Sequence, residues 1–210
     1  MKALALAAVA LAGTASTLDL RTVILPAAQV GNGYRLIARS DGFGVKSAPT
    51  LDLCGRAGYR SEKLRVDRLQ VDYLKPKTQL GLSNEVVRYK PGGAAEALRE
   101  VGLRSMSCPA KAIATGDPQV PRAKFTITRV RDSKLLKGYV AVRVRSVATV
   151  KGKRYDQVSY AIYQRFGNVL SGVYSFGPNT PAQRKLALHA AEQSAGVLRK
   201  NVAKPKGPPA

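Results

Sequence analysis

One histidine, His189, two cysteines, Cys54 and Cys108, and 13 carboxylates are the whole stock of imidazole, thiol and carboxyl side chains in this 210-residue chain. The sequence holds no GxSxG, HExxH, P-loop or CxxC arrangement, so neither nucleophilic catalysis nor a metal site finds its usual parts. His189 sits in LALHAAEQS between apolar positions of a helix and reads as a partly buried packing residue. Glu85 and Arg88 in SNEVVRY are three apart on a strand, hence on opposite faces, and read as register and surface residues. The glycines of GNG and GFG, at Gly31 and Gly42, precede no helix and read as turn residues. The expectation is no catalytic residue, no metal site and no cofactor.

Arginine is the residue type that could do something here. From Lys111 to Arg154 there are twelve Lys and Arg residues, against Asp117, Asp132 and, just beyond, Asp156. Period two along a strand places Arg143 and Arg145 on one face. If Arg129 and Arg131 lie on the neighbouring strand, four guanidiniums converge, with Arg165 as a further member and Gln157 and Tyr163 as hydrogen-bonding neighbours. Planar guanidinium forks match carboxylate and phosphate oxygens, so such a wall favours an anionic ligand. The plainer alternative is a solvated, basic sheet face.

Positioning that wall requires strands. Phe125 to Arg131, Gly138 to Val150, Tyr155 to Phe166 and Val169 to Phe176 are four successive β runs. Turn chemistry at Asp132-Ser133, Lys151-Gly152-Lys153 and Gly167-Asn168 joins them, and such short links demand antiparallel neighbours. Val140, Val142 and Val144 alternate with Arg143 and Arg145, giving one core face and one wet face. Upstream, strands are expected around Tyr34 to Ala38, over Arg65 to Leu74 and over Leu80 to Tyr89. After the Pro91-Gly92-Gly93 break a helix runs from Ala94 to Met106, burying Ala94, Ala95, Leu98, Val101 and Gly102. Lys111 to Arg122 reads as loop. The last helix starts at Thr180 as N-cap with Pro181 in its first position and runs to about Arg199. The fold class is α+β: an antiparallel sheet with two main helices packed on one face, in two similar strand-helix halves.

Composition agrees with one globular domain. Hydrophobic residues are 45% and charged residues 23%, while Gly and Pro, 19 and 12, are too few for a low-complexity chain. The anomaly is sign: 35 Lys plus Arg against 13 Asp plus Glu gives +22. The opening MKALALAAVALAGTAS has one cation, an apolar run from Ala3 to Ala12 and small residues before Ser16. That is a secretory signal over residues 1–15, too short in its apolar part to span a bilayer, so no transmembrane anchor is expected. Residues 16–200 form the domain, and 201–210 a disordered, basic, Pro-rich tail. An even cysteine pair in an exported chain is most simply a disulfide, here Cys54–Cys108.

Several stretches resemble the actinobacterial extracytoplasmic sensor-like domains typified by the outer part of PknH-type serine/threonine kinases. They are LPAAQVGNGYRL, PTLDLCG, SNEVVRYKPGGAAEALREV followed by Cys108-Pro109, and LSGVYSFG before the final helix. The resemblance covers Leu25 to Leu198 and implies a mixed fold with an antiparallel sheet, packed helices and a polar cleft, placed outside the cytoplasmic membrane as a ligand-sensing module without catalysis. The chain departs from the kinase members in having no kinase domain, no transmembrane helix and one cysteine pair where they carry two.

The expected function is therefore a secreted, non-enzymatic sensor-like domain binding an unknown small ligand in a polar cleft, with a cationic face for anionic wall polymers or lipid headgroups. Two rivals remain open: an adhesive envelope protein held to acidic polymers by charge alone, and an unrecognised hydrolase using His189. Nucleic acid fits the charge, but export and the lack of an RNP-like or helix-turn-helix pattern argue against it. The sequence names no protein partner.

Overall fold

A computed structural model describes residues 18–41, 50–51, 53, 58–105, 108–109, 111–115 and 118–202. The expected signal segment, the basic tail beyond Val202 and Cys54 lie outside the described residues. Strands β1 (Arg35–Asp41), β2 (Arg65–Lys75) and β3 (Leu80–Tyr89) lead into helix α2 (Gly93–Arg104), after a one-turn helix α1 (Ala27–Val30) near the start. Strands β4 (Ile113–Ala114), β5 (Arg122–Arg129), β6 (Val140–Val150), β7 (Lys153–Phe166) and β8 (Val169–Phe176) lead into helix α3 (Pro181–Asn201). The eight strands form a sheet in the order β1-β2-β3-β8-β7-β6-β5-β4, every pair antiparallel.

The α+β class and the antiparallel hairpins are as the sequence reads. Lys151 and Gly152 both take positive φ, 48° and 77°, the backbone of a two-residue turn whose twist matches the flanking strands. Lys111 to Arg122 is not all loop, because β4 pairs with the start of β5 through Ile113 and Ala123.

Helix placement differs from expectation. The two helices lie on opposite faces of the sheet, not on one. Side chains alternate along a strand, and in β7 Ile162 joins a core with Leu186, Ala187, Ala190 and Ala191 of α3, while Ala161 and Tyr163 join a core with Ala97, Leu98 and Val101 of α2. The central strands are therefore covered on both sides: nine of the ten β3 residues are buried. A strand buried on both faces reads as a continuous run rather than an alternation, which is why the valine–arginine alternation of β6 misled about the centre of the sheet.

The segment from Leu20 to Val30 packs on the α3 side, where Leu20, Val23, Leu25 and Val30 are buried. It is pinned by buried polar bonds: Leu25 N donates to Asn84 Oδ1 at 2.8 Å, and the Tyr73 hydroxyl donates to the Leu25 carbonyl at 2.6 Å. Helix α2 enters tightly. Gly92 has φ 80°, and a Cβ on Gly93 would come within 2.9 Å of both Tyr89 Cβ and Leu64 Cβ, so the Pro91-Gly92-Gly93 break lets the helix turn back onto β3. Ala97 replaces the expected Ala95 and Gly102 in the buried stripe of α2. Thr180 does hold the N-cap position of α3 in extended geometry, but its side chain makes no capping bond.

Candidate functional site

Register decides where the arginines point. Thr128 pairs with Arg143 and Thr126 with Arg145, whereas Arg129 pairs with Val142. Directly paired residues share a face, so Arg143 and Arg145 lie on the α3 side and Arg129 on the α2 side. The expected four-guanidinium wall does not form. Its assembly assumed that Arg129 stands beside Arg143, and a one-residue difference in register sends a side chain to the other face.

The remaining members scatter further. Arg129 donates to the Gly102 carbonyl at the end of α2, at 3.1 Å, and with Arg131 borders a depression of about 240 Å³ beside Tyr139. Arg165 is exposed at the far end of β7 and donates to the Gly167 carbonyl at 3.3 Å. Tyr163, expected as a hydrogen-bonding neighbour, is a core residue, 1% exposed, with its ring edge-on to Tyr174 at 5.6 Å. Gln157 is exposed on the α2 side opposite Ser146.

A smaller cationic strip survives on the α3 side. Lys124, Arg143, Arg145 and Arg154 share that face through the pairs Lys124–Val147 and Thr149–Arg154. Arg145 is largely neutralised: its guanidinium grips both carboxylate oxygens of Asp156, with Nε to Oδ1 at 2.8 Å, and Arg154 adds a contact at 3.4 Å. The Arg145 hydrogen bonds hold the Asp156 carboxyl down to about 2, well below its ordinary 3.8. Arg143, half-buried, makes no hydrogen bond or ion pair with the described residues, which leaves it and Lys124 as the available cations of the strip.

A second cluster went unread in the sequence. On the α2 side of β2 and β3, Arg68, Gln70 and Asp72 face Ser83 and Glu85, with Gln70 directly opposite Glu85 and Asp72 opposite Ser83. Glu85 is not a surface residue: it is 2% exposed and Arg68 7%. The Arg68 Nε–H donates to Glu85 Oε1 and its Nη2 to Gln70 Oε1; Gln70 donates in turn to Ser83 at 2.9 Å and Asp72 at 3.2 Å. Thr50 and Tyr174 donate their hydroxyls to the two Glu85 oxygens at 2.9 and 3.0 Å. Arg65 donates to Thr50 at 3.1 Å and pairs with Glu62, whose carboxylate also caps the Thr50 and Leu51 amides. Burial pushes the Glu85 carboxyl above its usual range, with the Arg68 guanidinium and three hydrogen bonds pulling it part of the way back. Glu62 is raised for the same first cause. The signal that could have revealed this cluster was three polar residues at period two, Arg68, Gln70 and Asp72, in a strand whose other face is Leu69, Val71 and Tyr73.

The cluster can bind through fixed donors and acceptors, and Gln70 and Asp72 at its outer end are half-buried rather than sealed. His189 lies exposed on α3, beside a depression also lined by Asp132, Lys134, Arg184 and Glu192. No hydroxyl or thiol nucleophile lines it, Lys134 reaches Glu192 at 3.5 Å, and Asp132 accepts the Lys134 amide at 3.0 Å. That setting carries no triad geometry for the hydrolase reading. Among the described residues no three of His, Cys, Asp or Glu gather as metal ligands. Cys108 packs partly buried against the α2-side core; its expected partner Cys54 is outside the described residues.

No family model and no curated protein matches the sequence. A solved structure shares its fold. The extracellular domain of PknH from Mycobacterium tuberculosis aligns over 83% of this chain and 93% of its own, with a TM-score of 0.51 and 12% identity. An uncharacterised protein from Mycobacterium smegmatis aligns over 87% of this chain and 97% of its own, with a TM-score of 0.44 and 9% identity. At 12% identity the likeness to the PknH domain is one of fold. Among the described residues no helix is long and apolar enough to cross a membrane.

Proposed function

We propose that this chain is an extracytoplasmic, non-enzymatic sensor-like domain that holds a small polar ligand at the outer end of the Arg68–Glu85 cluster. The observation that carries the reading is the cluster itself. A buried ion pair is on average no more stabilising than well-packed apolar residues in its place. Five polar residues on the α2-side face of two adjacent strands, with Gln70 and Asp72 left half-buried at one end, are therefore better explained by recognition than by stability. The fold shared with the PknH extracellular domain and the export-type opening of the sequence support placing the domain outside the membrane. The available cations of the strip, Lys124 and Arg143, add salt-sensitive attraction for anionic envelope polymers or lipid headgroups.

The test is untargeted mass spectrometry of small molecules and lipids that copurify with the mature protein from its native envelope. A double variant, Arg68→Met with Glu85→Leu, is expected to fold and to lose a specific species that the parent retains. Lys124→Ala with Arg143→Ala is expected to keep that species and to weaken binding of anionic polymer. Identical profiles for the parent and the cluster variant would refute the cluster as a ligand site.

The net charge of +22 favours a second reading, adhesion to acidic envelope polymers by charge alone. Salt separates the two. Attraction between exposed charges fades as the screening length shrinks to a few ångströms near molar salt, whereas a ligand seated at the cluster persists.

A further inference from the structure

We propose that the open edge of the sheet at β1 docks on a bilayer surface bearing anionic lipids, with Leu36 and Ile37 entering the headgroup region and the cations around them meeting lipid phosphates. Five strand spacings of about 4.8 Å, or roughly 24 Å, separate this edge from Arg143 on β6. Its docking residues belong neither to that strip nor to the Arg68–Glu85 cluster, so failure here would leave both readings as they are.

The edge is apolar where an edge strand is ordinarily polar. β1 is the outermost strand, paired with β2 alone, and Arg35 to Arg39 are all exposed. Leu36 and Ile37 are 52% and 56% exposed. The other exposed large hydrophobics among the described residues, Val66, Leu103 and Phe176, stand singly in the sequence, and the Phe176 ring lies over Gly81. Scattered apolar residues need no explanation, whereas adjacent ones begin a patch. Leu36 stands opposite Tyr73 and Ala38 opposite Asp72, so Ile37 is the extra residue of a bulge. The bulge, with Arg35 before the pair and Arg39 after it, already guards the edge against a further strand. Neither that protection nor the core, from which both side chains are excluded, accounts for the two aliphatic groups.

Cations surround the pair. Arg35 makes no hydrogen bond or ion pair with the described residues. Opposite it stands Leu74; Lys75 then ends β2, and Lys77 is exposed in the turn that follows. A Cβ on Gly33 would come 3.5 Å from Lys75 Cε, and the Lys75 ammonium stands 5.8 Å from the Tyr34 ring centroid, so Lys75 is held beside the start of β1. The acidic residues of this edge are Asp41, at the far end of β1, and Asp72, half-buried. Asp72 faces the α2 side, whereas Leu36, opposite Tyr73, faces the α3 side.

Apolarity and charge together choose the occupant. Aliphatic groups flanked by Lys and Arg are the pattern of a surface-bound membrane anchor: the apolar groups leave water at the boundary between headgroups and acyl chains, and the cations meet anionic headgroups. A second copy of the chain would bring the same +22, with its own Arg35 and Arg39, to the same edge. An acidic peptide adding a strand would meet the bulge, which breaks the regular succession of main-chain donors and acceptors.

The chain has no tryptophan, so a single one placed at the edge reports on it alone. Ile37→Trp in the full chain is expected to shift its emission to shorter wavelength, and to be quenched by brominated acyl chains, on vesicles of phosphatidylglycerol and phosphatidylcholine in equal parts. Vesicles of phosphatidylcholine alone are expected to do neither. Leu103→Trp, at an exposed position on α2, is the control and is expected to stay unshifted with both. Within the Ile37→Trp chain, adding Leu36→Ser is expected to raise the lipid concentration at half-shift about tenfold, and adding Arg35→Gln about fivefold. No shift at Ile37→Trp with the mixed vesicles, an equal shift at Leu103→Trp, or an unchanged half-shift in both added variants would each overturn the proposal. A shift elicited as strongly by polyglutamate would assign the edge to an acidic chain instead. A dimer of the parent in ultracentrifugation that Leu36→Ser abolishes would assign it to a second copy; either result overturns membrane docking.

Discussion

Tyr174 reaches Glu85 by lying back across Gly172. Gly172 is the residue directly opposite Glu85 in the β3–β8 pairing, and the Tyr174 hydroxyl passes over it to donate to Glu85 Oε2 at 3.0 Å. A Cβ on Gly172 would come 2.3 Å from that hydroxyl and 2.7 Å from the ring carbon bearing it, so the hydroxyl end of the ring occupies the space a side chain would need.

Gly172→Ala is therefore expected to expel the Tyr174 hydroxyl from Glu85 and to cost about 1–3 kcal/mol, as overpacking in a filled interior does. Chemical denaturation measures it. A midpoint equal to that of the parent would show that the ring moves aside freely and that the bond is incidental.

Removing one partner of the Arg68–Glu85 pair differs from removing both. Glu85→Leu alone leaves a buried guanidinium without its counter-charge and is expected to cost about 3–5 kcal/mol. Arg68→Met with Glu85→Leu is expected to lie between neutral and about 4 kcal/mol more stable. A double variant as unstable as the single one would mean that the pair is structural and would weaken its assignment to recognition.

The same double variant changes the pH dependence. Glu85 is raised in the folded protein by burial, so its folded state binds a proton more tightly than its unfolded state. Its contribution to stability is fully present below the ordinary carboxylate range and is lost as pH rises through its raised folded value. Glu62 acts with the same sign. Denaturation across that range is expected to show a shallower fall in the double variant, with the Glu62 part retained. Equal slopes in parent and variant would show that Glu85 titrates in its ordinary range.

Asp156 works in the opposite direction. Its carboxyl is held at about 2 by Arg145 first, then Arg154, so whatever it contributes is present above its ordinary 3.8 and lost as pH falls toward 2. Carboxyl-detected NMR is expected to place the midpoint near that value and to return it toward 3.8 in Arg145→Ala. No movement in the variant would remove Arg145 as the cause and would free it for anion binding.

The Cys54–Cys108 bond remains an expectation of the sequence. Intact mass of the unreduced protein, before and after reduction and alkylation, tests it. If the bond is present, closing a chain segment of this length is expected to stabilise the fold by about 4 kcal/mol, lost in Cys108→Ser. Two alkylatable thiols in the unreduced protein would dispose of it.

Local chemistry was legible wherever neighbours in sequence set the structure. The turn at Lys151-Gly152, the glycine break before α2, the proline start of α3 and the hairpins of β5 to β8 all depend on backbone preferences within a few residues. The candidate sites were less legible because each depends on which residue stands opposite which. Arg143 and Arg145 were read correctly as sharing a face, a consequence of period two within one strand. Their grouping with Arg129 failed because that step needed the register between two strands. Glu85 reads as a surface residue in the sequence because nothing there names its neighbours; β8 and Thr50 bury it.

The sequence by itself determined the α+β composition, the antiparallel succession of strands, the helix positions and the excess of positive charge, since these follow from periodicity, turn residues and counting. The tertiary structure alone decided that the helices take opposite faces, that the arginines part company, and that a polar cluster gathers on the α2 side of β2 and β3. Pairings between distant segments set those outcomes, and a shift of one residue in register reverses the face of every side chain on the strand.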